Sequence, residues 1–248
     1  MADKFEYLVN LLVEKMKMSQ VPVPGFILGL SGTDSVLAYL LLYEAAKRMD
    51  MPQRVYGIHY APRNRKKPTW FEREVMPWLR ERCPEARPEV QSPQGLYNDH
   101  YRWADLGTRA LNSLEQCPDG SLKDLPLEPG ENYWVAGTLN ATEFALGTYS
   151  NFAAAASIMP LRKVWKSDIM AMCEAKGVPQ IALDNARLPD CICGRMELAA
   201  ANIEMIDGIL RYDVVVTPDN YQLFNQLFAY VDTCKRDNGF KERIPYLL

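Results

Sequence analysis

The stretch from residue 26 to residue 60 constrains the fold more than any other. Phe26-Ile27-Leu28-Gly29-Leu30 is an unbroken apolar run, the pattern of a strand covered on both faces. Ser31-Gly32-Thr33-Asp34-Ser35 is a turn of small and polar residues. Val36 to about Met49 reads as a helix, with Lys47 and Arg48 suited to its last turn. Arg54-Val55-Tyr56-Gly57-Ile58-His59-Tyr60 reads as a second strand. Strand, turn, helix and strand in that order make a βαβ unit, which requires a parallel sheet and a right-handed crossover.

The rest of the chain extends this pattern. Phe5, Leu8, Leu11, Leu12 and Val13 fall at helical spacing over 5–18, and Val21-Pro22-Val23-Pro24-Gly25 breaks that helix. Residues 61–69 form a basic loop past the second strand, 70–83 read as helical despite Pro77, and Glu89-Val90-Gln91 as a third strand. A helix over 99–116 leads to a turn-rich connection over 117–132. A strand over 133–137, a helix over 140–147 and the small-residue segment 153–156 follow. Further helices are predicted over 166–176, stopped by Gly177 and Pro179, and over 197–210. From Asp213 the sequence gives a short strand-like run, a helix near 221–232 and a polar end. With 248 residues and no internal repeat or low-complexity linker, the expectation is one α/β domain. Its architecture is a doubly wound parallel sheet flanked by helices, with 211–248 as a C-terminal extension.

Composition narrows the function classes. The 28 basic and 31 acidic residues leave a net charge of −3, which argues against a protein built to coat nucleic acid. Apolar runs fall short of the roughly 18 residues a membrane span needs. Met1-Ala2-Asp3-Lys4-Phe5-Glu6 has neither an early apolar run nor a small-residue cleavage site, so a cytoplasmic location is expected. The six cysteines, at 83, 117, 173, 191, 193 and 234, are then expected as free thiols. Cys191 and Cys193 form C-x-C, not the C-x-x-C of zinc sites, so no structural metal is expected.

Chemistry concentrates at residues 31–35. In open α/β sheets ligands bind outside the carboxyl ends of the strands, where this turn must lie. Gly32 lets a ligand approach the backbone, Ser31 and Ser35 offer hydroxyls, and the helix that follows presents free N–H groups and a positive dipole end. That set suits phosphate. A carboxylate beside phosphate needs a cation between them, which makes Asp34 a candidate Mg²⁺ ligand. The competing reading is a plain helix start with Thr33 or Asp34 as N-cap.

The segment from Phe26 to Tyr39 resembles the pyrophosphate loop of the adenine-nucleotide α-hydrolase, or N-type ATP pyrophosphatase, superfamily. The usual form is S-G-G-x-D-S between strand and helix; here it is S-G-T-D-S, one residue shorter. Further matches are to ammonia-dependent NAD synthetase. The family's G-T-x-N-x-x-E motif reads Gly137-Thr138-Leu139-Asn140-Ala141-Thr142-Glu143, and the resemblance gives Thr138 a contact with the AMP part of ATP and Glu143 a place on Mg²⁺. The family's K-T motif reads Lys166-Ser167, which makes Lys166 the lysine that contacts phosphate. Its N-x-x-A-R motif reads Asp105-Leu106-Gly107-Thr108-Arg109, which makes Arg109 the candidate substrate contact, against a helix salt bridge. Toward the end, Gly194-Arg195, Glu197-Leu198-Ala199, Asp207 and Leu210 follow the family order, without its D-E pair.

The resemblance implies an adenine nucleotide α-hydrolase-like (Rossmann-like) fold, ATP and Mg²⁺ as cofactors, and a homodimer. The implied reaction has two steps. ATP adenylylates a carboxylate, deamido-NAD or a related acid, and ammonia displaces AMP to give the amide. Asp34 and Lys166 are the catalytic candidates; Ser31, Gly32, Thr33, Ser35 and Thr138 would hold the nucleotide. Two alternatives stand beside this. One is another ATP pyrophosphatase acting on a nucleobase or transferring sulfur, with Cys191 and Cys193 as candidates. The other is a non-catalytic descendant that binds a nucleotide or a partner protein. The basic cluster Arg63, Arg65, Lys66 and Lys67 reads as a solvated loop or a clamp on a phosphorylated ligand rather than a nucleic-acid site.

Overall fold

The computed structural model describes residues 2–19, 25–61, 66–91, 99–112, 133–189 and 196–243. Arg63, Arg65, Cys117, Cys191, Cys193, Gly194, Arg195 and the connection over 113–132 lie outside the described residues. Four strands, β1 (Gly25–Gly29), β2 (Val55–Tyr60), β3 (Arg87–Gln91) and β4 (Tyr133–Val135), form a sheet in the order β3-β2-β1-β4. All pairs are parallel, with Ile27 opposite Tyr56 on one side and Val135 on the other. A further parallel bridge joins Ala136 to Ile158 beyond β4.

Both faces of the sheet are covered, as a parallel sheet requires. On one face α1 (Ala2–Lys17), α2 (Thr33–Lys47) and α6 (Lys166–Ala175) pack over Phe26, Leu28 and Val55. On the other, Leu106 and Ala110 of α4 (Asp99–Asn112) cover Ile27, Tyr56, Ile58 and Tyr133. The alternation of Phe26 and Leu28 against Ile27 is the period of two that divides the core. Helix α2 is apolar all round because it is enclosed, with Val36 to Tyr43 all buried. Gly57 makes its close packing on β2 achievable: a methyl there would lie 2.7 Å from Leu30 and Tyr39 side-chain carbons. A third apolar cluster joins α5 (Ala141–Leu146), α8 (Glu197–Ala201), α9 (Ile203–Arg211) and α10 (Tyr221–Asn238) around Leu146, Ile206, Leu227 and Val231.

Several elements depart from the sequence reading for local reasons. Helix α2 begins at Thr33, so most of the turn expected at 31–35 is its first turn. Over 70–83 the helix opens with a π-turn at Phe71–Val75 before α3 (Met76–Arg82), and the Met76 N–H reaches back to Phe71 O. Pro77 has no N–H to continue the regular ladder there. Helix α6 ends at Ala175, ahead of Gly177 and Pro179 as predicted; the sequence reading has no helix directly after them, yet α7 (Gln180–Ala186) starts directly after Pro179. The helix expected over 197–210 is two, broken at Asn202, whose side chain donates to Leu198 O at 2.8 Å. The strand-like run after Asp213 is not a strand: Val215 is exposed, and Thr217 N–H donates to Asn220 Oδ1 at 2.8 Å in a turn before α10.

Candidate functional site

The strand order reverses between β1 and β4, so the crevice outside their carboxyl ends is the topological switch point, where open α/β sheets bind ligands. The chain leaves β1 into residues 30–35 and leaves β4 into 136–143. A cavity of about 910 Å³ opens there, within the size range of small-molecule sites. It is lined by Ser31, Gly32, Thr33, Asp34, Ser35, Thr138, Glu143 and Lys166, which are all the sequence-derived site residues except Arg109.

The loop before α2 is folded on itself. Ser35 Oγ accepts from the N–H groups of Ser31 at 2.8 Å and Gly32 at 3.1 Å, and donates to Gly32 O at 2.9 Å. Gly32 is the N-cap, in extended conformation, and a Cβ on it would meet nothing within 4 Å, so the backbone faces open space. The next N–H groups, of Thr33 and Asp34, start the helix and have no acceptor within it.

Opposite them stands Lys166, the first residue of α6. Its side chain is 5 % exposed, and its Nζ donates to Thr33 Oγ1 at 2.8 Å and to the Asp34 carboxylate. Asn140 Nδ2 donates to the other Asp34 oxygen at 2.8 Å. A cation at a helix N-terminus faces the wrong end of the dipole. Asp34 supplies the compensating negative charge, and a bound anion would add to it. The Cys173 thiol lies beneath, 3.6 Å from Thr33 O, and burial pushes it up to about 12.

Asn140 has a second task as N-cap of α5. Its Oδ1 accepts from Glu143 N–H at 2.8 Å while the Glu143 carboxylate turns back toward Asn140 N–H at 3.4 Å, a capping box. Glu143 thus serves helix α5 and also borders the cavity. For Mg²⁺ the donors are chemically suited: two carboxylates, Asp34 and Glu143, beside a space for phosphate oxygens, the set Mg²⁺ takes on nucleotides. Among the described residues no group of three His, Cys, Asp or Glu is gathered for a metal, so any such ion would complete its shell from ligand and water.

Arg109 is placed elsewhere. Its Nε donates to Asp105 Oδ2 at 2.8 Å and its Nη2 to Gln91 Oε1 at 2.5 Å, under α4 and off the cavity wall. The i, i+4 ion pair on α4 is the arrangement that competed with a substrate contact. Arg102 and Trp103, about two turns earlier on α4, border the cavity instead.

Sequence reasoning gave no role to several residues here. His59 borders the cavity at the end of β2, with Nδ1 2.8 Å from Leu30 O and Nε2 3.1 Å from Thr69 Oγ1. A carbonyl only accepts, so Nδ1 carries a proton and donates to Leu30 O. Lys241, beyond α10, also borders the cavity, and its Nζ donates to Gly147 O and Tyr149 O at 2.7 Å each. Neither had a motif around it. Asn140 did, since it is the N of G-T-x-N-x-x-E.

Fold and site define a Rossmann-like α/β protein with a crevice at its switch point, bordered by a buried lysine and the start of α2. No protein-family model and no curated protein matches the sequence. Solved structures do match. The NH3-dependent NAD synthetase of Campylobacter jejuni superimposes with a TM-score of 0.57 at 21% identity, over 98% of this chain and 96% of that one. The NMN synthetase of Francisella tularensis does so with a TM-score of 0.65 at 18% identity, over 100% and 98%. The NAD+ synthetase of Burkholderia pseudomallei gives 0.52 at 15%, over 94% and 90%. The fold is that of the NAD and NMN synthetases, as the sequence motifs imply.

Proposed function

We propose that the chain is an ATP-dependent amide ligase acting on a nicotinic acid nucleotide, either deamido-NAD or the mononucleotide. The supporting observation is Lys166: a buried ammonium held against the start of α2 at the switch point, where an anion is the natural partner. In this reading ATP lies across the Gly32 backbone with its phosphates between Lys166 and the Thr33 and Asp34 N–H groups. Thr138 contacts the AMP part. Mg²⁺, held by Asp34 and Glu143, neutralises charge on the triphosphate when bound. Lys166 leaves Asp34 for a phosphate oxygen.

The substrate carboxylate attacks the α-phosphorus and pyrophosphate leaves. Ammonia then adds to the acyl carbon and AMP departs with the C–O electron pair, while one proton passes to solvent. No side-chain nucleophile is needed. The residues act by position and by charge, in a crevice where fixed donors are stronger than in water. Arg109, held by Asp105 and Gln91, takes no substrate in this scheme. The working form is a cytoplasmic homodimer.

The Ser35 contacts favour a second reading. Two backbone donors of the shortened loop are already satisfied, as they would be in a nucleotide-binding descendant without turnover. One experiment separates the readings. The protein is incubated with ATP, Mg²⁺ and ammonium, with deamido-NAD, nicotinic acid mononucleotide or neither, and the products are resolved by mass spectrometry. AMP, pyrophosphate and the matching amide in equal amounts support the ligase. ATP binding without AMP under every condition supports the descendant.

A further inference from the structure

The first turn of α6 is not capped by its own N-cap residue: Trp165 makes no side-chain capping bond. The turn is held from outside. Lys166 N–H donates to Thr142 Oγ1 of α5 at 2.9 Å, and Ser167 N–H donates to Asp207 Oδ2 of α9 at 2.7 Å. The Thr142 hydroxyl in turn donates to Asp207 Oδ1. Asp207 has no exposed surface and Thr142 is 3 % exposed. One carboxylate therefore ties α5 and α6 to α9, with both oxygens engaged.

We propose that Asp207, acting through Thr142 and Ser167, is the positioning residue that fixes Lys166 against the start of α2. The backbone of Lys166 is pinned by Thr142, and from that anchor its side chain reaches Thr33 and Asp34. Thr142 is also flanked on α5 by Glu143 and lies two residues from Asn140, which bonds Asp34. The clamp thus registers the lysine and the G-T-L-N-A-T-E segment to each other. A buried carboxylate is costly to keep charged without such partners. Burial raises the Asp207 carboxyl above its ordinary value, and the bonds from Thr142 and Ser167 act against that rise. An apolar residue would have packed this spot at lower cost, so the carboxylate is explained by what it holds.

The placement of Lys166 can be measured without any assumption about the reaction. The folded protein is treated with the N-hydroxysuccinimide ester of acetic acid, and acetylation of Lys166 is compared by mass spectrometry with that of exposed Lys235. Wild type protects Lys166. Asp207→Asn cannot accept from both Thr142 and Ser167, and Thr142→Val removes the hydroxyl at similar size. Each is expected to raise relative Lys166 acetylation about ten-fold or more, the population change that losing a charge-assisted hydrogen bond allows. Thr142→Ser, which keeps the hydroxyl, restores protection. Unchanged Lys166 acetylation in folded Asp207→Asn and Thr142→Val, with cooperative thermal unfolding retained, overturns the proposal.

The kinetic consequence rests on the proposed ligase reading and is tested separately. Each substitution lowers kcat for AMP formation with little change in KM for ATP, and adds nothing further in a Lys166→Met background. Additive losses in that background overturn action through Lys166. Absence of AMP formation by wild type would refute the ligase reading alone, and the acetylation result would still decide the role of Asp207.

Discussion

The Asp34–Lys166 pair makes an asymmetric prediction about stability. The Lys166 side chain is 5 % exposed and that of Asp34 is 18 % exposed. Removing one partner of a buried pair leaves the other uncompensated, at a cost of about 3–5 kcal/mol. Asp34→Asn strands the more buried charge at a helix N-terminus, with Thr33 Oγ1 as a remaining acceptor. A cost of about 3 kcal/mol is expected. Lys166→Met strands a carboxylate that keeps its bond from Asn140, has partial access to water and sits at the favourable end of α2. A cost of about 1 kcal/mol is expected there. At about 2–4 °C per kcal/mol for a chain of this size, Tm falls by about 6–12 °C in the first variant and about 2–4 °C in the second. The double variant Asp34→Asn/Lys166→Met should be more stable than Asp34→Asn alone, because no buried charge is left unpaired. Calorimetry in low salt and in 0.5 M salt (about 4 Å Debye length) should give the same order, since a buried pair is poorly screened. A larger loss for Lys166→Met than for Asp34→Asn, or simple additivity, would refute the reasoning.

Two further predictions concern Ser35 and the buried thiols. Ser35→Ala leaves the Ser31 and Gly32 N–H groups without their acceptor, which should destabilise the ligand-free protein by about 1–3 kcal/mol. Saturating Mg·ATP should shrink that deficit in a thermal-shift assay, because phosphate offers the same donors an acceptor; an equal deficit with and without nucleotide would count against phosphate at this backbone. Burial pushes the Cys83 and Cys173 thiols up to about 12. Since the folded values are raised, these thiols contribute stability that is complete below about pH 8.5, where unfolded thiols begin to ionise, and that is lost as pH rises toward 12. Iodoacetamide at pH 8.5 should label both only after unfolding, and the urea midpoint should fall as pH rises above 9; labelling of either thiol in the native protein would contradict their placement.

Much of the fold was legible because its signals are local. The apolar run at 26–30 reads as a strand covered on both faces and 54–60 as a second strand, and the small-residue turn between the first strand and its helix located the crevice. Asn140 and Gly147 bracket α5 as sequence punctuation, and Gly147 adopts the left-handed conformation that ends it. Less legible was what tertiary contact decides. Gly177 and Pro179 mark the end of α6, but nothing in the spacing announces that α7 opens directly after them. Val214-Val215-Val216 reads as a strand, yet no sheet edge receives it. Arg109 matches a motif by spacing, but its direction is set by Asp105 and Gln91. Asp207 looked like one more acid in phase along a helix; its bonds to Thr142 and Ser167 link residues far apart in sequence, which no spacing rule reports.

In the proposed reaction ATP is activated against a carboxylate at Lys166. The most direct measurement is exchange of labelled pyrophosphate into ATP without ammonia, in Mg²⁺, with deamido-NAD or nicotinic acid mononucleotide supplied. Exchange that depends on one of these acids, and falls about 10²- to 10³-fold in Lys166→Met as for loss of a donor to developing charge, is the predicted result. No exchange with either acid, or exchange that Lys166→Met leaves intact, would contradict it.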